Sequence, residues 1–179
     1  MRHVRRLRFG GALRFGSVLL VGPDLLATAA AQGQENPAPQ TTVQWTASVT
    51  SAGGLRAGSA AVLELSGEIQ DGWHVYALTQ PEGGPTALRV TVDNNQIAQA
   101  AGEPSGTAPQ KKHDRSFGLE TRFYTHSFVV RLPVRVTEQP GAGRQLVPVS
   151  VRFQTCSDRE CQPPTTVHLS VPVDVLPEA

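Results

Sequence analysis

Apolar residues recur at every second position along most of the chain from Val43 onward, the period of a strand with one covered face. Val43, Trp45, Ala47 and Val49 alternate with polar or small residues, and a glycine-rich turn over Ser51 to Gly58 ends that run. Ala61, Leu63, Leu65 and Ile69 repeat the pattern until Asp71-Gly72 breaks it. In the next stretch Trp73 and Val75 face one way, His74 and Tyr76 the other. Leu88, Val90 and Val92 follow the turn Pro81-Glu82-Gly83-Gly84-Pro85. From Asn94 to Lys112 the chain is small and polar, with room for one short strand at Gln96 to Ala100. Regularity returns at Phe123. Tyr124, Phe128, Val130, Leu132, Val134 and Val136 read as one face of a single long strand, with Pro133 on the other face predicting an edge or a bulge. Val147, Val149, Val151 and Phe153 form the strand that enters Cys156, and Val167, Leu169, Val171, Val173 and Val175 the one that leaves after Cys161.

No ten-residue stretch carries a helical stripe. Seven or so short strands separated by Gly/Pro turns predict an all-β chain, an immunoglobulin-like antiparallel β-sandwich of two packed sheets. The strands on either side of the cysteines should be neighbours, placing Cys156 and Cys161 near the rim.

The first residues alter this picture. Arg2, Arg5, Arg6 and Arg8 precede an apolar run around Ser17 to Val21 and Leu25 to Ala27, and Ala29-Ala30-Ala31 leads into polar sequence, the order of a secretory signal peptide. The run is interrupted by Pro23 and Asp24 and is short of the roughly 20 apolar residues that span a bilayer. The expected organisation is a signal peptide over 1–31, a flexible Pro-containing leader over 32–42 and one domain over 43–176, with no stable membrane anchor after cleavage and a periplasmic location. Of 16 basic residues, five Arg lie in the signal segment with one of the 15 acidic residues. The mature part thus has 11 basic and 14 acidic residues, net −3. No basic patch remains to bind nucleic acid.

The chain has two cysteines, and in an oxidising compartment they are expected to pair. Five positions of extended chain span about 16 Å, at about 3.3 Å per residue, whereas a disulfide needs Cα atoms roughly 4.4 to 6.8 Å apart. Ser157, Asp158, Arg159 and Glu160 must therefore turn back, as polar turn residues can. A ring of about six residues gives only about 2 kcal/mol by the loop-entropy model. A local, exposed pair suits thiol-disulfide exchange, yet small secreted proteins also staple tight turns, and spacing alone leaves both readings open. The pair is not a Cys-x-x-Cys at a helix N-terminus, so it is better suited to being attacked by a partner's thiolate than to attacking. His74, His113, His126 and His168 are scattered singly and read as surface residues rather than metal ligands. No metal or cofactor is expected, and no Gly-x-Ser-x-Gly supports a hydrolase.

The segment from Phe153-Gln154-Thr155-Cys156 to Cys161-Gln162-Pro163-Pro164 resembles the cysteine segment of the N-terminal periplasmic domain of DsbD-type thiol:disulfide interchange proteins. Asp71-Gly72-Trp73-His74-Val75-Tyr76 is similar to a strand of that family, and His113-Asp114-Arg115-Ser116-Phe117-Gly118 followed by Tyr124 to its cap loop and next strand. The resemblance implies an immunoglobulin-like domain acting as a thiol:disulfide oxidoreductase. It would take electrons from a thioredoxin-like or membrane donor and pass them to oxidised periplasmic thiol proteins. By position Cys161 would form mixed disulfides and Cys156 resolve them. Phe117 would be the cap, with Asp114 in its loop, and His74 and Tyr76 would lie near the pair, although the family usually has an aromatic where His74 stands. Read without the family, Phe117 is a loop aromatic, and Asp114, Asp158 and Glu160 are solvated turn charges. Family members continue into membrane and thioredoxin-like domains, whereas this sequence ends at Ala179, so the donor is expected on a separate polypeptide. The other class of reading is a secreted immunoglobulin-like binding or chaperone-like module with a structural disulfide. The sequence names neither donor nor acceptor.

Overall fold

The computed structural model describes residues 41–177. The segments read as signal peptide and most of the leader lie outside the described residues. Period-two alternation becomes strand wherever one face can be buried, and twelve strands form: β1 (Val43–Thr50), β2 (Ala60–Ile69), β3 (Trp73–Tyr76), β4 (Arg89–Val92), β5 (Ala98–Ala100), β6 (Ser105–Gly106), β7 (Gln110–Asp114), β8 (Leu119–Tyr124), β9 (Ser127–Val136), β10 (Gly143–Phe153), β11 (Thr155–Ser157) and β12 (Thr165–Val175). Among the described residues there is no helix, and so none long and apolar enough to cross a membrane.

Every ladder between these strands is antiparallel. One sheet has the order β1-β2-β9-β5, with β6 also on β9; a second has the order β12-β10-β4; a third β11-β3-β8-β7. A single aliphatic core draws on all three, with Leu63 and Leu65 of β2, Val130 of β9, Val149 and Val151 of β10 and Val75 of β3 fully buried. This is the immunoglobulin-like β-sandwich. Burying each such side chain contributes about 1.5–3 kcal/mol. The strands flanking the cysteines are neighbours as expected: β10 pairs with β12 from Gly143↔Val175 to Phe153↔Thr165.

Three sequence expectations need correction. The single long strand from Phe123 is two strands in different sheets, β8 and β9, parted at Thr125-His126, where His126 adopts a positive φ of 61°. A chain that switches sheets at a sandwich corner must bend there. Tyr124 and Phe128 nevertheless stack across the bend, ring centroids 4.4 Å apart, so the apolar period runs through it unchanged. Pro133 does not mark an edge, because β9 is paired on both sides. The pairing on its second side is divided instead, β5 reaching Val134 and β6 resuming at Arg131, so the residue without an N–H falls at the gap. Finally, the polar region up to Lys112 contains β6 and the start of β7 besides β5. The total therefore exceeds seven strands.

Candidate functional site

Strand β11 continues β10 past Gln154 and pairs with β3, bringing Thr155, Cys156 and Ser157 opposite Val75, His74 and Trp73. Beyond it the four polar residues close a turn. Ser157 N–H donates to Glu160 O at 2.8 Å, and the Ser157 hydroxyl accepts from Arg159 N and Glu160 N at 3.2 and 3.1 Å. Gln162 N then donates to Thr155 O at 2.9 Å. The turn brings the cysteine Cα atoms to 4.0 Å, and the two residues form a disulfide.

Its two sulfurs occupy different environments. Cys156 is 1 % exposed and packs with Tyr76 and Phe123 in a second, smaller cluster, whereas Cys161 is exposed. The Tyr76 hydroxyl lies 2.6 Å from Asp114 Oδ2 and 3.1 Å from Cys156 Sγ. Its one proton goes to the nearer carboxylate. Asp114 closes β7 and, contrary to the solvated-turn reading, is buried; it also accepts from Ser116 N at 2.9 Å and the Thr121 hydroxyl at 3.4 Å. Asp158 and Glu160 are exposed, as turn charges should be.

The turn from Asp114 to Gly118 folds over this cluster. Gly118 N donates to Asp114 O at 2.8 Å, and Gly118 takes a φ of 67°, where a side chain would be strained. Phe117 meets the Tyr76 ring edge-on at 5.8 Å, and the Ser116 hydroxyl sits 3.7 Å from Cys161 Sγ. His74 is also buried, contrary to its reading as a surface histidine. Its ring packs edge-on against Tyr76 and Phe123 at 5.1 and 5.2 Å. His113, His126 and His168 are exposed.

Electrostatics follow from this burial. Removal from water, helped by the Lys112 charge, lowers His74 to about 4 against the opposing pull of Asp114 and Asp158, leaving it neutral near pH 7. Burial and the bond to Asp114 push the Tyr76 phenol up. Burial raises Asp114, but the bonds from Tyr76 and Ser116, any charge on His74 and the Thr121 bond together hold it below the usual carboxylate range. A fixed anion thus stands one hydrogen bond behind Cys156, where it disfavours a thiolate.

The structure therefore brings Cys156, Cys161, Tyr76, His74, Asp114 and Phe117 together. Sequence reasoning missed Phe123 and Thr121, which lie on the second face of β8 and are readable only once that face is known to be covered. Ser116 entered only as a member of the cap-loop stretch, with no role of its own. Among the described residues no group of three or more His, Cys, Asp and Glu is placed to hold a metal.

An immunoglobulin-like sandwich with a local disulfide at its rim, one sulfur buried and one exposed, is the class that fold and site define. Over residues 38–172 the sequence matches the family described as thiol:disulfide interchange protein DsbD, N-terminal. The chain belongs to that family, and family and disulfide together support thiol:disulfide exchange. Similar solved structures include the DsbD N-terminal domain of Neisseria meningitidis in the reduced form, at 18 % identity and TM-score 0.47, covering 73 % of this chain and 86 % of that one. Another is the complex between the DsbD N-terminal and PilB N-terminal domains of N. meningitidis, at 16 % identity and TM-score 0.44, covering 70 % and 80 %. A third is the N-terminal periplasmic domain of ScsB from Proteus mirabilis, at 17 % identity and TM-score 0.44, covering 74 % of this chain and 45 % of that one. No curated protein matches the sequence.

Proposed function

We propose that this chain is a periplasmic electron carrier that cycles between the Cys156–Cys161 disulfide and the dithiol. The observation that carries the reading is the unequal exposure of the two sulfurs. An incoming thiolate needs an in-line approach to sulfur, and Cys161 is the sulfur it can reach. Attack there forms a mixed disulfide at Cys161 and leaves the electron pair of the broken bond on Cys156. A second thiolate from the donor resolves the intermediate and releases the dithiol. In the reverse sense Cys161 attacks an oxidised acceptor and Cys156 resolves. The turn carrying Ser116 and Phe117 acts as a cap that a partner displaces.

The donor in this reading is a thioredoxin-like or membrane electron carrier, and the acceptors are oxidised periplasmic thiol proteins. The N. meningitidis complex, between two different proteins, supports a protein partner for a domain of this kind. The reading takes residues 1–31 as the export signal, 32–42 as a leader and 43–176 as the working domain.

Two measurements test it. Equilibrating the mature protein with glutathione buffers and counting free thiols should place the pair above the roughly −300 mV below which structural disulfides lie. Cys156→Ala should trap mixed disulfides with periplasmic proteins, and Cys161→Ala should trap few. A pair that stays oxidised throughout, or equal trapping by both variants, overturns the proposal.

A further inference from the structure

Two buried side-chain nitrogens of the described residues lack a hydrogen-bond partner, Trp45 Nε1 and His74 Nε2. Trp45 packs on the main core against Phe128 and Phe153, away from the cysteines. His74 is placed differently. It stands directly opposite Cys156 in the β3–β11 ladder, and directly opposed residues share a face with Cβ atoms about 4.5–5.5 Å apart. Both also line one cavity of about 360 Å³. A buried imidazole left unpaired is costly, and the disulfide form offers it at most a weak acceptor, since a cystine sulfur carries no charge.

We infer that His74 is the hydrogen-bond partner of the Cys156 sulfur in the opened form, donating its ring N–H to the thiolate released there and so lowering the proton affinity of that sulfur. The inference rests on the exchange reading above. Its step balances without a proton. The attacking thiolate's electron pair makes the new S–S bond at Cys161, the pair from the broken bond stays on Cys156, and one thiolate replaces another. Tyr76 is poorly placed to stabilise this charge alone, because its proton is held by Asp114 at the shorter distance.

The groups facing His74 act in opposite senses. Asp114 at the end of β7 and Asp158 in the cysteine turn oppose a new anion, while Lys112 of β7 and Arg115 of the cap favour it; His113, Ser116 and Ser157 complete the wall. Because burial and Lys112 keep the imidazole neutral near pH 7, its contribution is an N–H bond rather than a full positive charge. His74 is thus a positioning residue for the leaving sulfur.

The test uses the mature chain carrying Cys161→Ala, in which Cys156 is the one thiol. Its ultraviolet thiolate absorbance is titrated with and without His74→Phe, an aromatic that preserves the packing against Tyr76 and Phe123. Proton affinity of Cys156 should rise about tenfold, one pKa unit, when the ring N–H is lost. An unchanged or lower midpoint in the His74→Phe background overturns the inference. A second measurement needs no change at His74: in the Cys161→Ala protein the His74 ring-nitrogen resonances should shift with the same midpoint as the thiolate absorbance, and resonances that ignore that transition overturn it too. The glutathione equilibrium of the wild-type pair is read separately. A bridge that resists reduction sinks the exchange reading, whereas the thiol titration alone decides the role of His74.

Discussion

Strand β3 meets a different interior on each of its faces. Trp73 and Val75 join the aliphatic core of the sandwich, whereas His74 and Tyr76 belong to the small cluster around Cys156. The first interior is built mainly from Val, Leu, Ile and Ala with a few aromatic rings, and asks chiefly for volume and exclusion of water. The second packs a phenol, an imidazole, a carboxylate and a sulfur side by side. Buried polar groups must each find a partner, so there the members fix one another through single protons. A change of volume in the first interior falls on stability, whereas a change of charge in the second falls on the reactivity of the sulfur.

The largest effect expected is on stability. Leu65 is fully buried in β2, and Leu65→Ala should cost about 2–5 kcal/mol in urea denaturation through lost contacts and a residual cavity. Its folded fraction should still exchange with a small thiol at the wild-type rate. A changed rate would mean that the two interiors are mechanically coupled.

Asp114→Asn alters no volume and inverts that outcome. Stability should fall by only about 1 kcal/mol, since the Tyr76, Ser116 and Thr121 donors keep an acceptor. The reduced form loses the anion behind Cys156, and its thiolate fraction at neutral pH should rise about tenfold, one pKa unit. Ultraviolet titration of Cys156 in the Cys161→Ala protein reads this directly, and an unaltered midpoint would deny Asp114 any hold on that sulfur.

The third effect is a pH slope. His74 binds a proton near 6.5 in the unfolded chain and only near 4 in the folded one, so between those values the unfolded state carries more protons. Stability should therefore fall as pH drops from about 6.5 towards 4, by less than one proton's worth of slope. Asp114, held low, adds loss in the same direction as its folded carboxyl titrates. His74→Phe should flatten the upper part of the slope, and Leu65→Ala should leave it intact. Denaturation midpoints across that range decide it.

The aliphatic interior was legible in the sequence because each of its strands alternates. Leu63 and Leu65, Val149 and Val151, and Val171 and Val173 all point where their parity says. Strand β7 was not, since Gln110-Lys111-Lys112-His113-Asp114 contains no apolar residue. It is a sheet edge whose pairing with β8 comes from the hairpin at Asp114 to Gly118. The cysteine pair was legible from its count and spacing. The burial of His74 and Asp114 was not, because it arises only when the 114–118 turn folds over the second face of β3. No local pattern records that covering. The bend at His126 escaped for a related reason: the apolar period continues through it, and only the change of sheet partner marks it.

The ladders around the site are short. Strand β3 touches β8 through Val75↔Tyr124 and Tyr76↔Phe123 and touches β11 through three pairs, whereas β10 and β12 run side by side from Gly143↔Val175 to Phe153↔Thr165. Opening a patch breaks only the bonds within it, and contiguous groups of residues open at different free energies. Strand β11 and the cysteine turn, held by three ladder pairs and the turn bonds, are therefore expected to open more readily than the centre of β10, and amide hydrogen exchange should run faster in them. A partner that pries up this rim works against a few hydrogen bonds, not against the stability of the whole domain.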